Sequence, residues 1–151
     1  MPAEPDPAIH TEPLLEEAIY LATPGGADAN PDPGGDPVLA RRDEPWIVAS
    51  PDTLCYVMAV RACQAAGFTP RIRHHADDFA TVLALVAAGQ GVALVPELGV
   101  IGPPPGVVLT ALETRRRTRV ACRAGARHRP TVAACIDAIR AAAGSVAGPA
   151  G

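Results

Sequence analysis

Between Trp46 and Pro96 short apolar runs alternate with helical stretches that carry their own start and stop signals, and this alternation leaves few folds open. Trp46-Ile-Val-Ala reads as a short strand. Ser50-Pro-Asp-Thr supplies capping side chains, with Thr53 or Asp52 as the N-cap. The helix that follows runs to about Ala66, with Leu54, Val57, Met58, Ala62 and Ala65 on one apolar face. Gly67 offers a left-handed C-cap, Phe68 can fold back on the helix, and Pro70 forbids its continuation. The unit then repeats. Arg71–His75 is a strand, Asp77 or Asp78 caps a second helix with Val82, Leu85 and Val86 buried, and Gly89 and Gly91 end it. Val92-Ala-Leu-Val is an unbroken apolar run stopped by Pro96, a pattern that suits a strand buried on both faces. Strand, helix, strand, helix, strand with connections of this length predicts parallel strands with right-handed crossovers, hence an open α/β sheet.

The flanks are less regular. Met1 to about Glu12 reads as an irregular lead-in and Ala18–Thr23 as a strand. Gly25–Asp36 is dense in Gly, Pro, Asn and Asp and reads as a loop. After a loop over Gly99–Gly106, Val107–Leu112 and Arg117–Arg123 read as two further strands. Pro130 sits at the start of a last helix. Its Val132, Cys135, Ile136 and Ile139 form an apolar stripe. The tail Gly144–Gly151 reads as frayed.

Composition excludes several classes of function. The 151 residues are 48% hydrophobic with a net charge of −3, which describes a globular body without a general attraction to nucleic acid or anionic lipid. The N-terminus has neither the basic nor the apolar segment of a signal peptide, and no apolar run is long enough to span a bilayer. A cytoplasmic protein with reduced thiols is expected. Cys55, Cys63, Cys122 and Cys135 form no C-x-x-C pair, and no His lies at zinc-ligand spacing from them, so neither a metal nor another cofactor is expected. Cys63, Cys122 and Cys135 read as small buried hydrophobes. Cys55 falls in the first turn of a helix. No G-x-S-x-G, P-loop or G-x-G-x-x-G occurs, and no catalytic constellation is visible.

In open α/β sheets ligands bind where strands end and helices begin. The two such junctions are Ala49–Thr53 and Ala76–Thr81. Both present backbone N–H groups and a partial positive charge suited to a carboxylate. Ser50, Thr53, Asp78, Phe79 and Thr81 are therefore the candidate effector-binding residues, Phe79 as an aromatic wall. The same side chains are also what helix capping alone would select. Asp77 and Asp78 weigh against a simple anion site. His74 and His75 are adjacent on a strand and point to opposite faces, so one is expected at the surface and the other half-buried and hydrogen-bonded. The run Arg115-Arg116-Arg117-Thr-Arg119, continued by Arg123, Arg127 and Arg129, could contact phosphate. Without interleaved aromatics it reads better as a solvated strand edge. Arg117, Arg119 and Arg123 share the outer face, and Thr118, Val120 and Cys122 point inward.

Leu85-Val-Ala-Ala-Gly-Gln-Gly-Val-Ala-Leu-Val-Pro96 resembles the helix–turn–strand segment of LysR-type transcriptional regulators. Glu44-Pro-Trp-Ile-Val and Ala62-Cys-Gln-Ala-Ala-Gly-Phe-Thr-Pro70 are similar to the segment before it. Pro13-Leu-Leu-Glu-Glu and the helix Pro130–Ala143 fall in the expected order, so the resemblance covers about residues 8 to 143. It implies a periplasmic-binding-protein-like (type 2) effector-binding domain at residues 13–143, with a parallel-sheet distal lobe at about 24–106 and a proximal-lobe remainder at 107–143. Ala18–Thr23 and Val107–Leu112 would be the crossover strands, and the effector would lie in the cleft between lobes. A winged helix-turn-helix, a linker helix and the first half of the proximal lobe, all usual in the family, are missing. The domain is thus expected to be N-terminally truncated and to make no direct DNA contact. Its expected partners are a small-molecule effector, with a carboxylate as the leading candidate, and homo- or hetero-oligomeric LysR-type subunits. The alternative is a stand-alone module that pairs with a full-length regulator.

Overall fold

The structure, a computed structural model, describes residues 6–26 and 34–146. Its strands are β1 (Ile9–Pro24), β2 (Pro45–Val48), β3 (Arg71–His75), β4 (Ala93–Pro96) and β5 (Val107–Arg123). Its α-helices are α1 (Leu54–Ala65), α2 (Phe79–Ala87) and α3 (Pro130–Val146). The chain divides into two compact units, Ala18–Thr114 and the pair of segments Met1–Glu17 and Arg115–Gly151. The long strands β1 and β5 each contribute residues to both. Most of the expected Gly25–Asp36 loop, residues 27–33, lies outside the described residues, as do 1–5 and 147–151.

In the unit Ala18–Thr114 two cores form on opposite faces of the strands. Trp46 and Val48 of β2, with Ile19, Leu21, Val92 and Leu94, pack against Ala59 and Cys63 of α1. Ile47, Ala22, Ala93 and Val95 pack against Val82, Leu83 and Val86 of α2. Side chains alternate between faces along a strand, so a strand buried on both sides must be apolar at every position. That is why β2 and β4 read as unbroken apolar runs. β2 and β3 pair in parallel, with a register shift between Trp46 and Ile47. β4 runs parallel to β2 at the single bridge Trp46–Val92. Its main ladder is antiparallel to β1, from Ile19–Pro96 to Ala22–Ala93, in a three-stranded sheet of order β4-β1-β5 apart from the pair β2–β3, where the unbroken run alone suggested parallel neighbours.

The helix ends follow their local chemistry. Thr53 caps α1 by accepting the Tyr56 amide, and Asp78 caps α2 by accepting that of Thr81. Gly67 (φ 92°) closes α1, with Gly67 N–H donating to Gln64 O and Phe68 N–H to Cys63 O. This is the paired hydrogen-bond motif of a glycine-terminated helix, and it swings Phe68 onto Trp46, ring centroids 6.0 Å apart. Gly89 (φ 70°) ends α2 in the same way, with Gly89 donating to Val86 O and Gln90 to Leu85 O. Gly91 has a different task from the helix stop expected of it. A Cβ there would lie 2.5 Å from the Pro45 carbonyl oxygen. Its lack of a side chain lets Val92 reach β2.

The other unit corrects several expectations. Ile9–Glu12 belong to β1, so the irregular lead-in is shorter than residues 1–12. Val107–Leu112 and Arg117–Arg123 are one continuous 17-residue strand. The arginines between them do not break it, because carboxylates on β1 meet them. Arg115 and Arg117 pair with Glu16 at 3.0 and 3.1 Å, and Arg116 donates to the buried Glu17 at 2.6 Å. Arg117, Arg119 and Arg123 do lie on the exposed face, and Thr118, Val120 and Cys122 are half-buried. α3 continues through Gly144–Val146, inside the expected frayed tail. Of its stripe only Ile136 is buried. Val132 is half-covered, whereas Cys135 and Ile139 are exposed, so Cys135 is not the buried hydrophobe anticipated. Glu12 ties the unit together by accepting from His10, Arg127 and Arg140.

Gly91→Ala should cost about 3 kcal/mol, since it adds overpacking against Pro45 to the strain of a positive φ. Gly102→Ala, at φ 55° with open space around it, should cost only about 1 kcal/mol for its backbone conformation. Urea unfolding midpoints of the two variants check the difference.

Candidate functional site

Parallel pairing of β2 with β3 sets their carboxyl ends side by side, and with them the two strand–helix junctions. The junctions are 27 residues apart in sequence and joined directly. Asp77 accepts the Ser50 amide at 2.7 Å on one oxygen and the Ser50 hydroxyl at 2.6 Å on the other. Ala76 N–H donates to Val48 O at 2.9 Å, and the His75 ring nitrogen Nδ1 lies 2.9 Å from the Ala49 carbonyl oxygen. The Ser50 hydrogen bonds, hydroxyl first and amide second, hold the Asp77 carboxyl below its ordinary range, with the nearby His75 adding to the effect.

The remaining candidate side chains also have local partners. The Thr53 hydroxyl donates to Ser50 O at 2.8 Å and accepts from Tyr56 N–H at 3.1 Å. One Asp78 oxygen accepts both the amide and the hydroxyl of Thr81, each at 2.9 Å. Those bonds, the amide's first, hold the Asp78 carboxyl low as well. Phe79 is half-buried and close against Gly99, where a Cβ would come within 2.7 Å of its ring. The two junctions share a cavity of about 90 Å³, walled by Ile47, Val82, Leu94 and Phe79 and edged by Thr53, Cys55 and Asp77. Thr53, Phe79 and Asp77 thus meet at one cavity, whereas Ser50, Asp78 and Thr81 do not line it.

The two helix ends differ in charge. α2 begins at an ionised carboxylate, which answers its own first turn. α1 begins at a neutral threonine and carries no acidic residue in its first turn. By helix geometry the Leu54 and Cys55 amides have no acceptor within the helix. The first turn of α1 is thus not capped by a carboxylate as that of α2 is, although the Asp77 carboxylate edges the same cavity and Asp52 precedes the Thr53 cap.

One histidine is exposed and the other half-buried, as expected, but the hydrogen bond belongs to the exposed one. His75 is exposed and hydrogen-bonded, while His74 is half-buried and its Nε2 has no hydrogen-bond partner. The sequence singled out Asp77 only as an alternative cap. Its bridge to Ser50 could have been anticipated from the parallel pairing, which makes the ends of β2 and β3 neighbours. Burial pushes the Cys63 thiol up to about 12, in keeping with a packing role. Among the described residues no group of three or more His, Cys, Asp or Glu could hold a metal ion. No helix among them is long and apolar enough to cross a membrane.

Residues 1–144 match the family described as LysR substrate binding domain. The chain belongs to this family. A stretch of 79 residues is 32% identical to the HTH-type transcriptional regulator XapR of Escherichia coli (strain K12), covering 52% of this chain and 27% of XapR. Solved LysR-family structures share the fold. The Corynebacterium glutamicum OxyR C206 mutant superposes with a TM-score of 0.75 at 20% identity, over 96% of this chain and 46% of that one. The regulatory domain of Synechocystis PCC6803 CcmR, solved in complex with 2-PG, gives 0.73 at 17% identity over 95% of this chain and 70% of that one. The C-terminal domain of a probable LysR family regulator from Rhodococcus sp. RHA1 gives 0.71 at 20% identity, over 91% and 70%. The chain thus spans about a quarter of XapR and about half of OxyR. Its fold is the α/β substrate-binding fold of LysR-family proteins.

Ser50→Ala should return the Asp77 carboxyl toward the usual aspartate value of about 3.9. Because the folded value is depressed, the stability it contributes is present above the unfolded value and is lost as pH falls through the folded one. Carboxyl carbon shifts of Asp77 followed by NMR between pH 2 and 6 (roughly, bracketing that value) check both the direction and the role of Ser50.

Proposed function

We propose that this chain is the ligand-sensing part of a LysR-type regulator and that the unit Ala18–Thr114 receives a small carboxylate at the start of α1. The observation that supports this is the contrast between the two helix ends. α1 offers the amides of its first turn, with Cys55 at the shared cavity and a neutral Thr53 as cap. α2 is already answered by Asp78. A carboxylate at α1 gains hydrogen bonds to amides that have no acceptor within the helix, together with the helix dipole. An apolar substituent can rest against Phe79 and Val82. Asp77, one side of the same cavity, sets the selectivity. Its charge is engaged by Ser50, and it excludes anions too bulky to stay on the α1 side. A family that includes the 2-PG complex of CcmR is consistent with small ligands of this kind. In the same proposal, DNA contact belongs to other parts of the regulator, and the partners of this chain are further LysR-type subunits.

Thermal unfolding of the 151-residue chain, followed by circular dichroism, tests the reading. The ligands are acetate, benzoate and succinate, each against its neutral amide at equal ionic strength. A carboxylate present at about 100 times its dissociation constant stabilises by roughly 2.7 kcal/mol, a midpoint rise of several degrees. Thr53→Asp keeps a good cap but places a negative charge where the ligand would sit. It should leave the unliganded midpoint unchanged or higher and remove the carboxylate-specific rise. Equal rises with the amides, or a full response in the variant, would contradict the proposal.

A further inference from the structure

The unit made of Met1–Glu17 and Arg115–Gly151 holds a second polar cavity, of about 560 Å³. Its wall includes Ile9, His10, Glu12, Gly125, Arg127 and His128. β5 ends at Arg123, and Ala124 N–H donates to Ala8 O at 2.8 Å, which fastens the end of β5 to the beginning of β1. Gly125, with φ 82°, then turns the chain into the short 3₁₀ turn Ala126–His128. That turn brings Arg127 and His128 back beside His10 and Glu12.

The charges are arranged around one carboxylate. Glu12 accepts from His10 Nε2 at 2.9 Å and from the guanidiniums of Arg127 and Arg140. The bond from His10 and then that from Arg127 hold its carboxyl at about 2, so it stays ionised at every physiological pH. Both Glu12 oxygens are engaged by cations, so Glu12 fixes the arginines in place and has no oxygen left for a positively charged ligand. Two guanidiniums meet this one carboxylate. Asp137 on α3 also acts on Arg127 through space, and the Asp6 carboxylate is turned onto the Ala8 amide at 2.9 Å. The cavity wall also carries two imidazoles, His10 and His128, both exposed.

We propose that this cavity is a binding site for a small oxyanion, a carboxylate, sulfate or phosphate group held by Arg127 and His128 and strengthened when His10 and His128 are protonated. A pre-oriented guanidinium flanked by imidazoles donates several charge-assisted hydrogen bonds to one tetrahedral or planar anion. Glu12 fixes the position of Arg127, so little side-chain entropy is lost on binding. The site lies in a different unit from the α1 junction and rests on different residues, so either proposal can fail without the other.

Sulfate is the probe, because its charge is constant between about pH 6 and 8, across which histidine titrates around 6.5. Any pH dependence then belongs to the protein. Sodium sulfate is titrated into the full chain by isothermal calorimetry against sodium chloride at equal ionic strength. The histidine ring proton signals are followed by NMR in parallel. Binding is expected at both pH values, several-fold tighter at pH 6, with His128 and His10 signals moving together. His128→Ala, at an exposed side chain, should fold normally and weaken binding about tenfold, the loss of one charge-assisted bond. Arg127→Gln should abolish it. Should that variant unfold, the His128→Ala result still decides. No heat beyond the chloride control, equal affinity at the two pH values, or undiminished affinity in His128→Ala would each overturn the proposal.

Discussion

Val92 holds the larger unit together. Its carbonyl accepts the Ile47 amide and its amide donates to the Pro45 carbonyl, both at 2.9 Å. These two bonds join the parallel pair β2 and β3 to the antiparallel ladder of β4 and β1. Both cores depend on the junction, because Trp46 and Val92 contribute to one face and Ile47 and Ala93 to the other. Backbones come this close only where a side chain is missing, and Gly91 provides the gap. Buried backbone groups need partners, and the same two bonds satisfy the amides of the buried Ile47 and Val92. The ends of β2 and β3, and with them Ser50 and Asp77, inherit their positions from this crossing.

Local signals in the sequence were read well because their causes are local. The Thr53 cap, the Gly67 stop with Phe68 folding back, and the strand Arg71–His75 are each decided within a few residues. Features decided by distant partners were not legible. Arg115 and Arg116 fell between two expected strands, and Glu16 and Glu17, about a hundred positions away, meet them and let β5 run on. The antiparallel β1–β4 ladder follows from a pairing that an unbroken apolar run does not distinguish from a parallel one. His74 and His75 were rightly placed on opposite faces, but alternation says nothing of which face offers an acceptor. The Ala49 carbonyl lies beside His75, and the half-buried Nε2 of His74 has none.

The candidate site shows the same division. Thr53 and Asp78 cap their helices, Thr81 bonds the Asp78 cap, and Ser50 bonds Asp77 across the two junctions, so each of these side chains is accounted for by a partner within the protein. In the proposed function binding falls instead to the backbone of α1, whose cap is neutral, and to the apolar wall that Phe79 supplies. The backbone amides and partial charge that made the junction a candidate in the sequence are what the proposal still rests on, and the hydroxyls drop out of it. The contrast with α2 is electrostatic. One helix end is closed by its own carboxylate, and the other by a neutral threonine.

Cys55, in the first turn of α1 and at the rim of the cavity, reports that charge without any ligand being known. The same thiolate attacks iodoacetate and iodoacetamide at carbon and displaces iodide from each, so the ratio of the two rates at Cys55 cancels thiol reactivity and measures the local potential. The ratio is best compared between the folded chain and the chain unfolded in urea, with each modified site resolved by mass spectrometry. If the α1 end favours anions, the iodoacetate to iodoacetamide ratio at Cys55 should rise several-fold on folding. A ratio that is unchanged or lower in the folded chain would mean that Asp77 governs the cavity, and the assignment of a carboxylate to α1 would be wrong.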